Sequence, residues 1–191
     1  MDGVFVAGAH EEVVASLGLA VGREFEPQLL ESILRAETVK KARETALRLL
    51  SHRSRTKSEL RRRLVGSGFP EDIVDELVER FSERGLLDDD RFSRDWVRSR
   101  TAGRPMGRAR LAWELRSKGV DQPVVEAALQ ELDEDAEYGL ALSCARKKAE
   151  KADPKDPSFK SKLGSFLRRR GFGWEVIRKV LDQVCPTDGD R

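Results

Sequence analysis

The sequence predicts an all-α protein: an elongated array of three tandem three-helix repeats behind a small N-terminal segment. Three observations predict it. Thr56–Phe81, Gly107–Leu132 and Phe159–Val184 align without a gap over 26 residues, and their apolar columns agree. Each copy has a glycine in one shared column, at Gly68, Gly119 and Gly171. Charged residues make up 37% of the chain and aromatics only 6%, which favours thin helical architecture over one thick core. A period of this length is the mark of repeat architectures, whose neighbouring units stack to bury what each leaves open.

Residues 1–38 form an N-terminal extension outside the repeat. VFVAG reads as a short strand or an extended start, and Glu11–Leu19 and Pro27–Glu37 read as helices. The second of these is placed to run straight into the next element.

Repeat one spans residues 39–87. Its lead helix, Val39–Ser51, carries Ala42, Ala46, Leu49 and Leu50. Thr56-Lys-Ser-Glu59 fits a capping box, in which the threonine oxygen accepts from an orphan N–H at the helix start. The helix that follows has Leu60 and Leu64 at i and i+4, and Gly68 stops it. A residue at this stop adopts the left-handed conformation, which glycine enters without strain. Phe69 then folds back onto Leu64, the hydrophobic contact of a Schellman stop. Pro70 suits the first turn of the next helix. That helix carries Ile73, Val74, Leu77, Val78 and Phe81, one apolar stripe.

Repeat two, residues 88–132, repeats the plan. Asp88-Asp89-Asp90 supplies an N-cap and first-turn acids for a lead helix over Arg91–Arg100, where the helix dipole favours negative charge. Trp96 lies on its apolar stripe. Leu111, Leu115, Gly119, Val120, Val124, Val125, Ala128, Leu129 and Leu132 fill the repeat columns. Repeat three, residues 133–185, has its lead helix over Ala136–Ala149, then Leu163, Leu167, Gly171, Phe172, Val176, Ile177, Val180, Leu181 and Val184. RTAGRPMG and KADPKDPS are the longest loops, because Gly and Pro break regular structure there. Residues 186–191 read as a flexible tail.

Composition narrows the chemistry. Walker, dinucleotide and zinc-protease motifs are absent. The two histidines, His10 and His52, lack a ligand partner at metal spacing, and the triple aspartate lacks the further ligands of a calcium loop. No enzyme activity, metal or cofactor is expected. Cys144 and Cys185 have no metal or redox spacing, and no signal peptide or membrane-spanning run is recognisable, so reduced thiols in a cytoplasmic protein are expected.

Net charge is only +2, but it alternates in blocks. Residues 39–66 carry ten basic and two acidic side chains, residues 91–119 nine and two, and residues 138–171 ten and three. Residues 1–38, 70–83 and 120–135 are each strongly acidic. Stacked repeats can gather the basic blocks into one positive surface. Arg61, Arg62 and Arg63 fall between Leu60 and Leu64, and at ~100° per residue they face away from the leucines. The same columns hold Ala112-Trp113-Glu114 and Gly164-Ser165-Phe166, so these arginines are not part of the repeat code. Arg168-Arg169-Arg170 lies at a helix C-terminus, where the dipole alone favours cations. Trp113 and Phe166 read as packing between neighbouring repeats, with base stacking as the alternative.

ALRLLSHRSRTKSELRRRL, RGLLDDDRFSRDWVRSR, RLAWELRSKGV and FLRRRGFGWEVI, in that order, resemble the RecX family of RecA modulators. The resemblance runs from about Ala42 to Val184 and is strongest in repeats one and two. Trp96 stands where the family often has tyrosine, and residues 1–38 match only loosely. The resemblance implies a monomeric regulator of homologous recombination, DNA repair and the SOS response, without a catalytic centre. It implies binding to the RecA recombinase and to its filament on single-stranded DNA, restraint of filament growth, and lower ATPase and strand exchange. Direct affinity for single- and double-stranded DNA is implied too. The family offers no invariant set to transfer, so charge and periodicity nominate the contacts to DNA or RecA. They are Arg55, Lys57, Arg61, Arg62, Arg63, Arg98, Arg100, Arg104, Arg108, Arg110, Lys160, Lys162, Arg168, Arg169 and Arg170. The alternative is an autonomous DNA-binding protein with a helix-turn-helix unit, as in transcription regulators. The acidic helices after Gly68 and Gly119 disfavour it.

Overall fold

The computed structural model of the protein describes residues 8, 10–16, 27–152 and 156–185. These residues are helices and connecting turns, with no strand among them. Residues 4–7 of VFVAG, residues 17–19 of the first expected helix and the tail at 186–191 lie outside the described residues. The chain divides into two compact units, residues 1–87 and 88–191.

The first unit holds α1 (Glu11–Ser16), α2 (Pro27–His52), α3 (Lys57–Val65) and α4 (Glu71–Glu83). Helix α2 is continuous for 26 residues, so the N-terminal helix does run into the lead helix of repeat one. It contributes Ala42 and Ala46, which pack with Leu60 and Leu64 of α3 and with Ile73, Val74, Leu77 and Phe81 of α4. Leu60 and Leu64 are fully buried, and burying one such leucine is worth roughly 1.5–3 kcal/mol. The threonine half of the capping box is present: Thr56 accepts from the Glu59 N–H at 3.0 Å. Pro70 sits one residue earlier than expected, at the N-cap of α4.

The second unit holds α5 (Asp89–Gly103), α6 (Arg108–Ser117), α7 (Gln122–Gln130), α8 (Glu134–Ala149), α9 (Phe159–Arg169) and α10 (Trp174–Val184). Helix α5 extends three residues beyond the expected Arg100. Asp88 caps it, accepting from the Arg91 N–H at 2.8 Å; the triple aspartate is thus a helix start. Asp133 does the same for α8, accepting from the Ala136 N–H at 2.7 Å. One core forms from α5, α6 and α7, around Leu111, Leu115 and Val125. Another forms from α8, α9 and α10, around Leu163, Leu167 and Ile177.

The helix stop recurs in all three copies. Gly68, Gly119 and Gly171 have φ of 90°, 77° and 83°. In each, the next residue donates back to the leucine carbonyl five positions earlier: Phe69 to Leu64, Val120 to Leu115, and Phe172 to Leu167. This is the six-to-one bond of a Schellman motif. Gly85, with φ 68°, ends α4 the same way, with the Leu86 N–H on the Phe81 carbonyl at 2.9 Å.

Within the second unit, the two three-helix cores join end to side through glycines. The Gly107 N–H donates to the Arg170 carbonyl at 3.0 Å, and the Ala109 N–H to the Gly171 carbonyl at 3.2 Å. The Arg108 N–H donates to the buried Glu137 carboxylate at 2.9 Å. The first turn of α6 is therefore capped by the end of α9 and by a side chain of α8, since Gly107 has no side chain to offer. A helix start needs such partners for its orphan N–H groups. Cβ atoms on Gly107 or Gly171 would each fall closer than 3.0 Å to atoms across this joint.

Candidate nucleic-acid interface

The nominated cations separate into committed and uncommitted groups. Arg61 does not face solvent freely. It grips α4, with Asp75 at 2.6 Å and Glu71 at 2.7 Å. Those hydrogen bonds raise the Arg61 pKa, and the bond from Arg61 lowers that of Asp75. Arg62 and Arg63 beside it are exposed, Arg62 reaching only the Ser58 carbonyl at 3.4 Å. Arg55 is half-buried and donates to the Leu49 carbonyl at 3.1 Å. Burial, then the charge of Arg53, lowers its pKa. Lys57 is exposed at the start of α3.

In the second unit, Glu114 is a buried carboxylate that organises its surroundings. It accepts from Arg100 Nε at 3.0 Å and from Trp96 Nε1 at 3.1 Å, and pairs with Arg110 Nε at 3.4 Å. Trp96 is half-buried, stacked on Phe92, with Arg100 and Lys118 each 4.3 Å from its ring centre. Arg98 pairs with Glu131 at 3.3 Å, Lys160 with Asp182 at 3.7 Å, and Lys162 with Asp156 at 2.9 Å. Arg108 donates to the Leu132 carbonyl at 2.5 Å, in the turn between α7 and α8. The expected packing role of Trp113 fails: it is 53% exposed, and Arg110 lies over its ring at 4.4 Å. Trp113 stands two residues from both Leu111 and Leu115, and at ~100° per residue it faces away from the leucine stripe.

Five uncommitted cations of the second unit meet at one place. A cavity of about 290 Å³ opens where α5 ends and α8 and α9 finish. Arg104, Lys147, Lys148, Lys151 and Arg170 line it, without a carboxylate among its described lining residues. None of the five pairs with an acid among the described residues. Arg170 is held rather than loose: its NH1 donates to the Pro105 carbonyl at 3.0 Å and lies 3.5 Å from Cys144 Sγ. Its guanidinium sits 4.8 Å from the Phe166 ring centre, and Lys148 Nζ sits 5.8 Å from it. Such contacts with a ring face are favourable for cations. Phe166 also packs against the core of repeat three, so its column is half packing and half site. Arg168 and Arg169 lie exposed on the same helix end.

Three helix C-termini converge here, and their dipoles favour cations. That accounts for one or two positive residues, not five without counter-charge among the described residues. Lys147, Lys148 and Lys151 were absent from the nominated set. Their signal was legible: Ser143, Cys144, Lys147 and Lys148 fall at i, i+1, i+4 and i+5 on one face of α8, and Lys151 follows at i+8 in the turn after it. A second cavity, of about 600 Å³, mixes both signs of charge, with Arg108 and Lys179 in its lining. Glu134, Asp135 and Glu175 border it beside Trp174, which is 68% exposed. Among the described residues, no cluster of three metal-ligating side chains is present. No helix there is long and apolar enough to cross a membrane, and both cysteines are free thiols.

Comparison with known proteins gives three consecutive family matches. Residues 42–81 match the first three-helix domain of RecX, 88–129 the second and 135–181 the third. The chain is 41% identical over 152 residues to a regulatory protein RecX of Mycobacterium ulcerans (strain Agy99), covering 78% of this chain and 88% of the relative. It is 39% identical over 168 residues to one of Mycolicibacterium vanbaalenii, covering 84% and 90%. Among solved structures, a regulatory protein RecX superposes with a TM-score of 0.81 at 24% identity, covering 95% of this chain and 92% of that one. RecX from Lactobacillus salivarius gives 0.71 at 22% identity, covering 78% and 97%.

Proposed function

The chain belongs to the RecX family, and from that premise we propose that it regulates homologous recombination by binding the RecA recombinase and its filament on single-stranded DNA. It limits filament growth and lowers ATPase and strand exchange, acting without catalysis of its own. The observation that carries this reading is the ordered run of three RecX domains across residues 42–181. Its relatives named regulatory proteins support the regulatory part. The cations without acidic partners support a nucleic-acid or nucleoprotein partner, because phosphate contacts supply most sequence-independent affinity.

A sequence-reading helix-turn-helix role is poorly supported. In repeat one, α4 follows the glycine stop and carries Glu71, Asp72, Asp75, Glu76 and Glu79 outside its apolar stripe. Such a helix repels the phosphates that flank a DNA groove.

The test is DNA-dependent ATP hydrolysis by RecA on preformed filaments, titrated with this protein. Hydrolysis falls at sub-stoichiometric protein if the reading holds. An unchanged rate over a full titration defeats it.

A further inference from the structure

We propose that the cavity between the ends of α5, α8 and α9 binds the phosphodiester backbone of a nucleic-acid strand without reading its bases. The inference rests on the nucleic-acid part of the function proposed above and locates it in one place. Elsewhere in the second unit, Arg98, Arg100, Arg110, Lys160 and Lys162 are neutralised by carboxylates. Arg104, Lys147, Lys148, Lys151 and Arg170 instead share one concavity with none among its described lining residues. Five like charges this close repel one another, and an anion relieves that repulsion.

The cavity is also built in advance. Arg170 is fixed by the Pro105 carbonyl and by Phe166, and Lys148 is drawn to the same ring. Cations held before the ligand arrives lose less freedom on binding. At about 290 Å³ the space lies at the small end of ligand pockets, which run from ~300 Å³ upward. It suits one phosphate with its sugar, not a folded macromolecular surface.

The neutral groups that could read a base edge are already engaged. The Pro105 carbonyl is taken by Arg170, and the Ser143 hydroxyl donates to the Leu140 carbonyl. The Phe166 ring is already engaged by two cations. Lysines and arginines that meet phosphate position a strand and carry no sequence information.

The test uses the full chain and two variants, Lys147→Glu/Lys151→Glu and Arg104→Glu. The first alters α8, the second the loop after α5, so a folding defect in one leaves the other informative. Binding to a labelled oligothymidylate is followed by anisotropy across a salt series. Each phosphate contact contributes about −0.7 to the log–log salt slope of a single strand. The double variant should flatten the slope by about 1.4 and weaken binding by ~10-fold or more. The single variant should move both in the same direction. An abasic strand of equal length should compete nearly as well as oligothymidylate.

Unchanged slopes in both variants overturn the proposal. So does competition by polyglutamate but not by the abasic strand, which would make the partner an acidic protein surface. Equal competition by inorganic phosphate and by the strand, compared per phosphate, also overturns it, since the ligand is then a free anion. The same variants in the RecA ATPase assay keep the two ideas apart. Lost strand binding with intact inhibition upholds the cavity and removes DNA contact from the regulatory mechanism. Failure of the wild type to inhibit, with strand binding intact, upholds the cavity and defeats the proposed function.

Discussion

Gly107→Ala is the most informative single change, because nothing about the glycine's own conformation requires glycine. Its φ is −77° and its ψ 164°, extended values open to any residue. The constraint comes from outside. An added methyl would fall closer than 3.0 Å to the Gly171 carbonyl and to Phe172 Cα, all of it backbone. The two cores of the second unit must separate at this point for the methyl to fit. Separation stretches the bonds from Gly107 to Arg170 and from Ala109 to Gly171, and it draws Arg108 from Glu137. Each such bond contributes about 0.5–1.5 kcal/mol net, and overpacking costs a further ~1–3 kcal/mol. Because relaxation of the joint relieves overpacking while it breaks bonds, the expected loss is roughly 2–5 kcal/mol. Gly68→Ala is the contrasting control. It meets no atom within 4 Å and pays only for its left-handed backbone, about 1–2 kcal/mol. Urea unfolding of the full chain, followed by circular dichroism, measures both. A Gly107→Ala protein whose stability lies within ~0.5 kcal/mol of the wild type, the scatter typical of neutral surface changes, would refute the close-approach argument.

Three further outcomes are expected. Glu114→Ala removes the acceptor shared by Trp96, Arg100 and Arg110; it should cost about 1–3 kcal/mol and shift the Trp96 indole N–H resonance, read by NMR. Arg61→Ala breaks only exposed or half-exposed pairs with α4, so the melting temperature should stay nearly unchanged. It should leave the salt dependence of strand binding nearly unchanged, whereas Arg62→Ala/Arg63→Ala should weaken that dependence. Asp156 is held down to a pKa of about 2, first by the Ser158 hydroxyl, then by Lys162 and the Ser158 N–H. A carboxylate with a depressed pKa stabilises the fold above its unfolded value and loses that contribution as pH falls through the folded one. Its carboxyl carbon should therefore titrate near pH 2 by NMR, and Lys162→Ala should raise the midpoint.

Repetition made the fold legible. Leu60, Leu111 and Leu163 share a column and are all fully buried, and the shared glycines all take positive φ. Three copies of one pattern average away local noise, so even the back-folding bond at each stop was readable. Gly85 was not, because only one copy carries it. The site was less legible for a physical reason. Charge counts say how many cations a segment has, not which of them an acid has claimed. Arg61 and Arg62 are neighbours in sequence, yet one is clamped to α4 and the other is open. That difference depends on Glu71 and Asp75, which reach Arg61 only after folding. The lysines at the end of α8 and in the turn after it were missed because their meaning comes from Arg104 and Arg170, brought beside them by the tertiary fold.

The capping of α6 from across the joint has a consequence for the order in which the chain is made. Gly107 leaves the ribosome 63 residues before Arg170, the partner of its N–H. At ~5–20 residues per second, repeat two waits roughly 3–13 s with the start of its central helix unfinished. Throughout that interval the Gly107 and Ala109 N–H groups have only water as acceptor, while Glu137 reaches the Arg108 N–H sooner. Repeat two is thus completed by repeat three, so growth of the chain is also the step that locks what was made before it.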